Sequence, residues 1–458
     1  MKKIFNIEIV PKEQESEDFP SHPTIIISSN FMKQTNVTNG QKVILKSGSR
    51  FTDCIIHESR VQENDIIRCS PSILEYLFLP NERFSISLKI DEAQGIWELG
   101  PFIGILTDRI HHNSFGTIHT FIDEMQTYAK ELHLFIYVFT MENFKQTHVN
   151  GFMYSNEAKS WIEAKLPTPH VVHNRIHSRL KERSKEALEF FSMLKKNGIP
   201  YFNERYLHKW HVYDVLSNYE HLLPYLPETK LLNGKRTIEE MVYKYPQLFL
   251  KPVHGSLGKN IFKISSKEDH FLLDYSTFSG DIAKEYSTIQ HLYEAIKPRL
   301  QTQRYIIQQG IDLFLYEGRP LDFRILCHRK SDTEWMVTSM VARVSANHGF
   351  VSNVARGGEI FKLNEVLQNH FDRKMMKQIE QLLKELALEA VNTIDINTEG
   401  IYGELGVDIG LDKDGKPWLI EINTKPSKNH DPESIFPKIR PSAKAIINYC
   451  HSLSGWKV

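Results

Sequence analysis

The segment GVDIGLDKDGKPWLIEIN, residues 406–423, constrains the fold of this chain more than any other stretch. Two runs of alternating apolar character flank Asp414-Gly415, the dipeptide expected of a two-residue primed turn joining antiparallel strands. Counting outward from a Lys413–Lys416 pair places Asp408 opposite Glu421 on one face, with Cβ atoms about 4.5–5.5 Å apart. Asn423 lies two residues further along and shares that face. Three oxygen-bearing side chains so placed suit a hard cation, Mg²⁺ or Mn²⁺, better than zinc. The plainer alternative is a solvated sheet face with incidental acids. Leu419, Ile420 and Ile422 speak against it, because they make this an inner strand where unpaired carboxylates are costly.

A second segment, LFLKPVHGSLGKNIFKI, reads as a strand ending in Lys251-Pro252, a loop holding Gly255, Ser256 and Gly258, and a second strand. Glycine lacks a Cβ, so loop N–H groups can approach phosphate oxygens, while Lys251 supplies a point charge. Neither a Walker A loop nor a Rossmann glycine pattern is present, since no helix follows. Alone, such a loop is more often only a hairpin. It acquires meaning beside Asp322-Phe323-Arg324, Arg343 and SNVARGGE (Asn353, Arg356, Gly357, Gly358). Singly these arginines read as surface ion pairs. Together with the carboxylates they supply what a magnesium-bound triphosphate requires.

The chain has 458 residues, enough for two or three domains. Lys plus Arg and Asp plus Glu each number 56, so no bulk field favours nucleic acid or an anionic membrane. Four scattered cysteines without Cys-x-x-Cys spacing argue against a zinc ribbon or a disulfide scaffold and point to a reducing cytoplasm. MKKIFNIEIVPKEQESED lacks the features of a signal peptide, and LHLFIYVF is too short to span a membrane. Short apolar runs between turn clusters over residues 24–99 predict a small β domain. LGPFIGIL, an amphipathic helix through Phe121–Leu132, LFIYVF, HVVHNRI and a helix ending at Gly198 predict an α/β unit. Beyond Tyr201, hairpin-like strands and helices suggest α+β layers. The stripe Met375, Ile379, Leu382, Leu383, Leu386 and Ala390 is a helix's core face. The expected domains are 1–98, 99–200 and 201–458.

The order of these motifs, strand-Lys-Pro-glycine loop, YIIQQGI, Asp-x-Arg, Arg, Ser-Asn…Arg-Gly-Gly and GVD…LIEIN, resembles the ATP-grasp ligases over about Tyr201–Tyr449. With LGPFIGIL, HNRI and KPVHGSLGKNI, the whole chain is similar to the endospore-coat-associated YheC/YheD branch. The resemblance implies an ATP-grasp fold preceded by an α/β pre-ATP-grasp domain and a small N-terminal β domain. It implies ATP and Mg²⁺ (or Mn²⁺) as cofactors. Lys251 and Lys209 match phosphate-binding lysines, although a helix-start lysine is the plain reading of Lys209. Gln308, Gln309, Gly310 and Ile311 match the hinge whose backbone reads adenine, with Gln309 departing from the Glu of many relatives. Asp322 matches the position near the ribose. Arg324, Arg343 and Asn353 match residues that neutralise the transferring phosphoryl group, and Asp408, Glu421 and Asn423 match metal ligands.

The resemblance further implies a carboxylate–amine ligase working through an acylphosphate, with an acid and an amine substrate of unspecified identity, a link to spore-coat formation and coat proteins as partners. Nucleic acid and membrane are not expected as partners. A non-catalytic coat scaffold and a kinase are the alternatives. The ligase reading requires the C-terminal oxygen donors and the lysine-flanked loop to converge on one triphosphate; it collapses if they lie on opposite sides of the molecule or if neighbouring basic side chains engage the acids instead.

Overall fold

A computed structural model describes all residues except 1, 12–22, 60–64, 111–113, 256–259, 278–279, 347–356, 369, 429–437 and 457–458. The chain divides into two compact units, Met1–Glu204 with Pro437–Val458, and Arg205–Phe436. Among the described residues no helix is long and apolar enough to cross a membrane.

The first unit begins with a closed barrel of seven strands, in the order Lys2–Pro11, Ile66–Cys69, Thr24–Ser28, Arg50–Ser59, Lys42–Ser47, Ile96–Gly100 and Phe84–Asp91, the last returning to the first. Alternation fills its interior, with Ile7, Ile9, Ile25, Ile27, Leu45, Ile56 and Leu88 all buried. A six-stranded sheet follows, ordered Ser160–Leu166, Val149–Ser155, Phe135–Phe139, Phe102–Leu106, Val171–Asn174, Tyr201–Phe202. Its last four strands are parallel. All five positions of Phe102–Leu106 are buried, as expected of a parallel strand covered on both faces. The predicted helix ending at Gly198 is broken into Arg179–Glu182 and Lys185–Lys196, because Ser184 caps the second piece by accepting the Ala187 N–H.

The last helix, Pro441–Leu453, packs in this first unit, its Ala443, Ile446, Ile447 and Cys450 meeting Phe121, Ile122 and Met125 of the helix His119–Glu131. Arg440 seals the contact by donating from Nε to Glu124 Oε1 at 2.8 Å. Residues 437–458 therefore leave the 201–458 domain expected from the sequence: the helix's apolar face finds its complement on the earlier sheet. All four cysteines are buried and unbridged.

The second unit holds two antiparallel sheets. One runs Thr229–Leu231, Tyr305–Gln309, Gln247–Pro252, Phe262–Ser266, Phe271–Thr277, Gly280–Tyr286, and the helices Lys235–Lys244 and Ile289–Leu300 share its core. The other runs Glu359–Lys362, Trp335–Val344, Arg319–Arg329, Glu404–Leu411, Pro417–Asn423. Its core is shared with the 25-residue helix Arg373–Asn397, which buries the anticipated stripe at Ile379, Leu383, Leu386 and Ala390, and with Lys209–Leu216.

Candidate functional site

The hairpin of residues 404–423 pairs Asp408 with Glu421 and Gly406 with Asn423. The path to that pairing differs from the sequence count. Leu411 pairs with Pro417, so the turn spans five residues, Asp412–Lys416. Only Gly415 has positive φ, at 81°, whereas a primed two-residue turn would require it of Asp414 too. The Asp412 carboxylate organises the loop, accepting from the N–H groups of Asp414 and Lys416 and from Trp418 Nε1 at 2.9–3.1 Å. A bulge between Asp408 and Ile409 then restores the register, leaving Ile420 as the extra residue.

On the neighbouring strand Arg324 stands beside Asp408, because Arg319–Arg329 and Glu404–Leu411 pair antiparallel with those residues in register. Arg324 Nε contacts Asp408 Oδ1, and its Nη2 donates to Oδ2 at 3.0 Å. Arg343, in register with Asp322, binds it bidentately at 2.6 and 2.7 Å and reaches Asp408 Oδ2 at 3.0 Å. Asn423 Nδ2 donates to the same oxygen at 3.3 Å. Burial would raise the Asp408 carboxyl, but the Arg324 and Arg343 guanidiniums outweigh it and hold the group below the usual carboxylate range. Burial likewise works against charge on Arg343, and Asp322 and Asp408 more than offset it.

Lys209, at the start of its helix, is an ion-pair partner rather than a solvated lysine: its Nζ lies 2.5 Å from Glu421 Oε1. Lys251 projects from the other sheet, 2.6 Å from Gln308 Oε1 and over the Phe249 ring at 5.5 Å. Desolvation by burial and the nearby Lys209 charge pull its ammonium down to about 8, while Glu421, Asp408 and Asp322 act in the opposite sense. Lys209, Lys251, Asp322, Arg324, Arg343, Asp408, Glu421 and Asn423 thus form one electrostatic cluster. Four of its members are cationic and three anionic.

The hinge is more committed than anticipated. Gln309 N–H donates to Glu228 O and Gly310 N–H to Gln247 O, both at 2.8 Å, so neither is available to an adenine edge. Ile311 N–H takes no part in these bonds. Gln309 Oε1 accepts from Glu228 N–H at 3.1 Å, which gives the glutamine a structural task. Gln308 is fixed by donating to Thr229 Oγ1 at 3.0 Å. Gly255 packs on Pro252, where a Cβ would come within 3.0–3.3 Å of the ring. Ser256, Gly258 and Asn353 lie outside the described residues. Sequence reading missed Thr229, which orients Gln308, and Phe249, which shares Lys251's face by period-two spacing.

The cation expectation needs revision in one respect. The acids are engaged: Asp408 has both oxygens occupied by arginines, and Glu421 has one oxygen on Lys209. Among the described residues no group of three or more His, Cys, Asp or Glu could hold a metal ion. The donors that fit a divalent ion are the second Glu421 oxygen and the Asn423 amide oxygen, with Asp408 joining only by giving up a guanidinium.

A model of the family described as YheC/D like ATP-grasp matches residues 198–453, more than half of the chain. The chain belongs to the YheC/D-like ATP-grasp family. Two Bacillus subtilis (strain 168) proteins are similar to this family member. Endospore coat-associated protein YheD is 24% identical over 394 residues, spanning 83% of this chain and 84% of that protein. Endospore coat-associated protein YheC is 24% identical over 306 residues, spanning 66% and 81%. Among solved structures, the D-alanine-D-alanine ligase from Coxiella burnetii aligns with TM-score 0.46 at 12% identity over 78% of this chain and 94% of that one. The ATP-grasp ligase PsnB complexed with minimal precursor aligns with TM-score 0.43 at 12% identity over 77% and 99%.

Proposed function

We propose that this ATP-grasp protein is an ATP- and Mg²⁺-dependent carboxylate–amine ligase that activates its acid as an acylphosphate. The observation that supports this reading best is the convergence of two lysines and two arginines with three carboxylates and an amide within one unit. In the absence of a polyanion, such cations and anions neutralise one another across the same space. A triphosphate would take over the arginines and lysines, releasing Asp408 and Glu421, with Asn423, to hold divalent ions. The bound ions would offset charge on the phosphoryl group. Lys251 and Lys209 would orient the phosphates, and Arg324 and Arg343 would stabilise charge as the substrate carboxylate displaces ADP from the γ-phosphorus. The amine then attacks the acyl carbon and expels phosphate. No nucleophilic side chain is required. Ile311 N–H would serve the adenine edge, and Asp322, once released by Arg343, the ribose. Gly255, Ser256, Gly258 and Asn353 complete the proposed phosphate contacts. The similarity to YheD and YheC extends the reading to an acceptor connected with the spore coat.

One observation favours a second reading, a coat scaffold without turnover: the acids are already satisfied by basic neighbours, as a structural ion-pair network would be. Purified protein with ATP, Mg²⁺, hydroxylamine and a panel of carboxylic acids decides between them. The ligase releases ADP and forms hydroxamate, and Glu421→Ala abolishes both. Failure to bind ATP at all refutes the reading, and a stable phosphoester would reveal a kinase instead.

A further inference from the structure

A cavity of about 370 Å³ opens at the edge of the sheet that carries Lys251, between the strands Thr229–Leu231 and Tyr305–Gln309 and the helix Ile289–Leu300. Its lining is divided. Leu232, Leu300 and the rings of Tyr293 and Tyr305 make one part apolar, while Lys297 and Arg304 are the only charged residues of the wall, with no acid among them. Arg304 has no side-chain partner among the described residues. Lys297 has only a loose helical neighbour, with Glu294 Oε2 at 3.6 Å. Gly234 stands at the rim with φ 116°, a conformation that side chains rarely adopt, and the helix Lys235–Lys244 starts there without a side-chain cap. The cavity shares no residue with the Lys251 cluster. Tyr305 pairs with Pro252, next to Lys251, but faces the other way: it is buried with Leu250 and Ile307 in the helix-covered core, whereas Lys251 bonds Gln308 on the opposite face of the sheet.

A volume near the lower bound for small-molecule sites, an apolar wall and two cations, of which only Lys297 has an acidic neighbour, suit an occupant with an anionic end and a compact apolar body. We propose that this cavity binds a small organic phosphate or carboxylate, its oxyanion on Arg304 and Lys297 and its body against Tyr293 and Leu300. A planar guanidinium fork suits either oxyanion. The proposal stands apart from the ligase reading, since it uses none of the same side chains.

Saturation-transfer NMR on the full chain tests it, with phenyl phosphate and benzoate as probes and inorganic phosphate as competitor. Wild-type protein should transfer saturation to at least one probe, and Lys251→Met should leave that signal intact. Lys297→Gln/Arg304→Gln should lower it at least fivefold while keeping the wild-type melting temperature and ATP affinity. Signal from both probes identifies a site for either oxyanion, and signal from phenyl phosphate alone identifies a phosphate site. Three results overturn the proposal: no signal from either probe, a double variant that behaves as wild type, or a signal lost in Lys251→Met.

Discussion

Lys251 offers the most quantitative test of the triphosphate reading, because its ammonium is pulled from its ordinary value down to about 8 by burial and by Lys209. A lysine that meets phosphate must be charged, so nucleotide binding should draw a proton onto it whenever the free protein has lost one. With a free-protein value of about 8, uptake on binding should be about 0.1 proton at pH 7 and about 0.9 proton at pH 9. Affinity should be nearly flat below pH 8 and weaken by about tenfold per pH unit above it, until the raised value in the complex is reached. The sign is opposite for stability. The buried charge opposes folding below pH 8, and this cost fades as pH rises from about 8 toward the ordinary lysine range. Titration calorimetry of ATP with Mg²⁺ in buffers of different ionisation enthalpy, at pH 7, 8 and 9, measures both affinity and proton uptake. Lys251→Met should bind weakly and show no rise in uptake between pH 7 and 9. A wild-type affinity that is constant from pH 7.5 to 9.5, or an uptake profile unchanged in Lys251→Met, would refute the reasoning.

Three further expectations concern the same unit. Asp408 is held below the ordinary carboxylate range, so its contribution to stability is present above about pH 4 and is lost as pH falls through its folded value; Asp408→Asn should flatten the acid limb of a plot of melting temperature against pH. Arg324→Met leaves Asp408 with Arg343 and the Asn423 amide and should destabilise by about 1–3 kcal/mol in urea denaturation, less than the loss of a sole buried partner would cost. Gly310→Ala would bring a Cβ to 2.6 Å from Gln247 Cβ and 2.9 Å from its carbonyl group, and should lower stability by about 1–3 kcal/mol in thermal melts.

The Asp408–Glu421 pairing is legible in the sequence because strand alternation and an Asp-Gly turn are local signals. At the turn itself the register differs by one residue from the Asp-Gly count, and the bulge at Ile420 cancels the difference, which no count of side-chain periodicity can reveal. Which cation meets which acid is beyond the reach of such local signals. Arg324 reaches Asp408 across 84 residues of chain, through the register of strands that are not consecutive. The barrel is readable as a β domain, yet its closing strand, Lys2–Pro11, carries in sequence only the signature of a poor signal peptide. The final helix announces an apolar face without naming what that face covers.

That helix makes the second unit an insertion: the polypeptide leaves the first unit once and re-enters it. Excising the nucleotide-binding portion therefore takes two cuts rather than one. A truncation just after Phe436, which looks harmless for the inserted portion, would strip the α/β sheet of a covering helix and expose Phe121, Ile122 and Met125 to water. Minimal fragments for binding studies should be designed as a resealed loop-out of residues 205–436, and a terminal affinity tag tethers to the portion that lies outside the proposed chemistry.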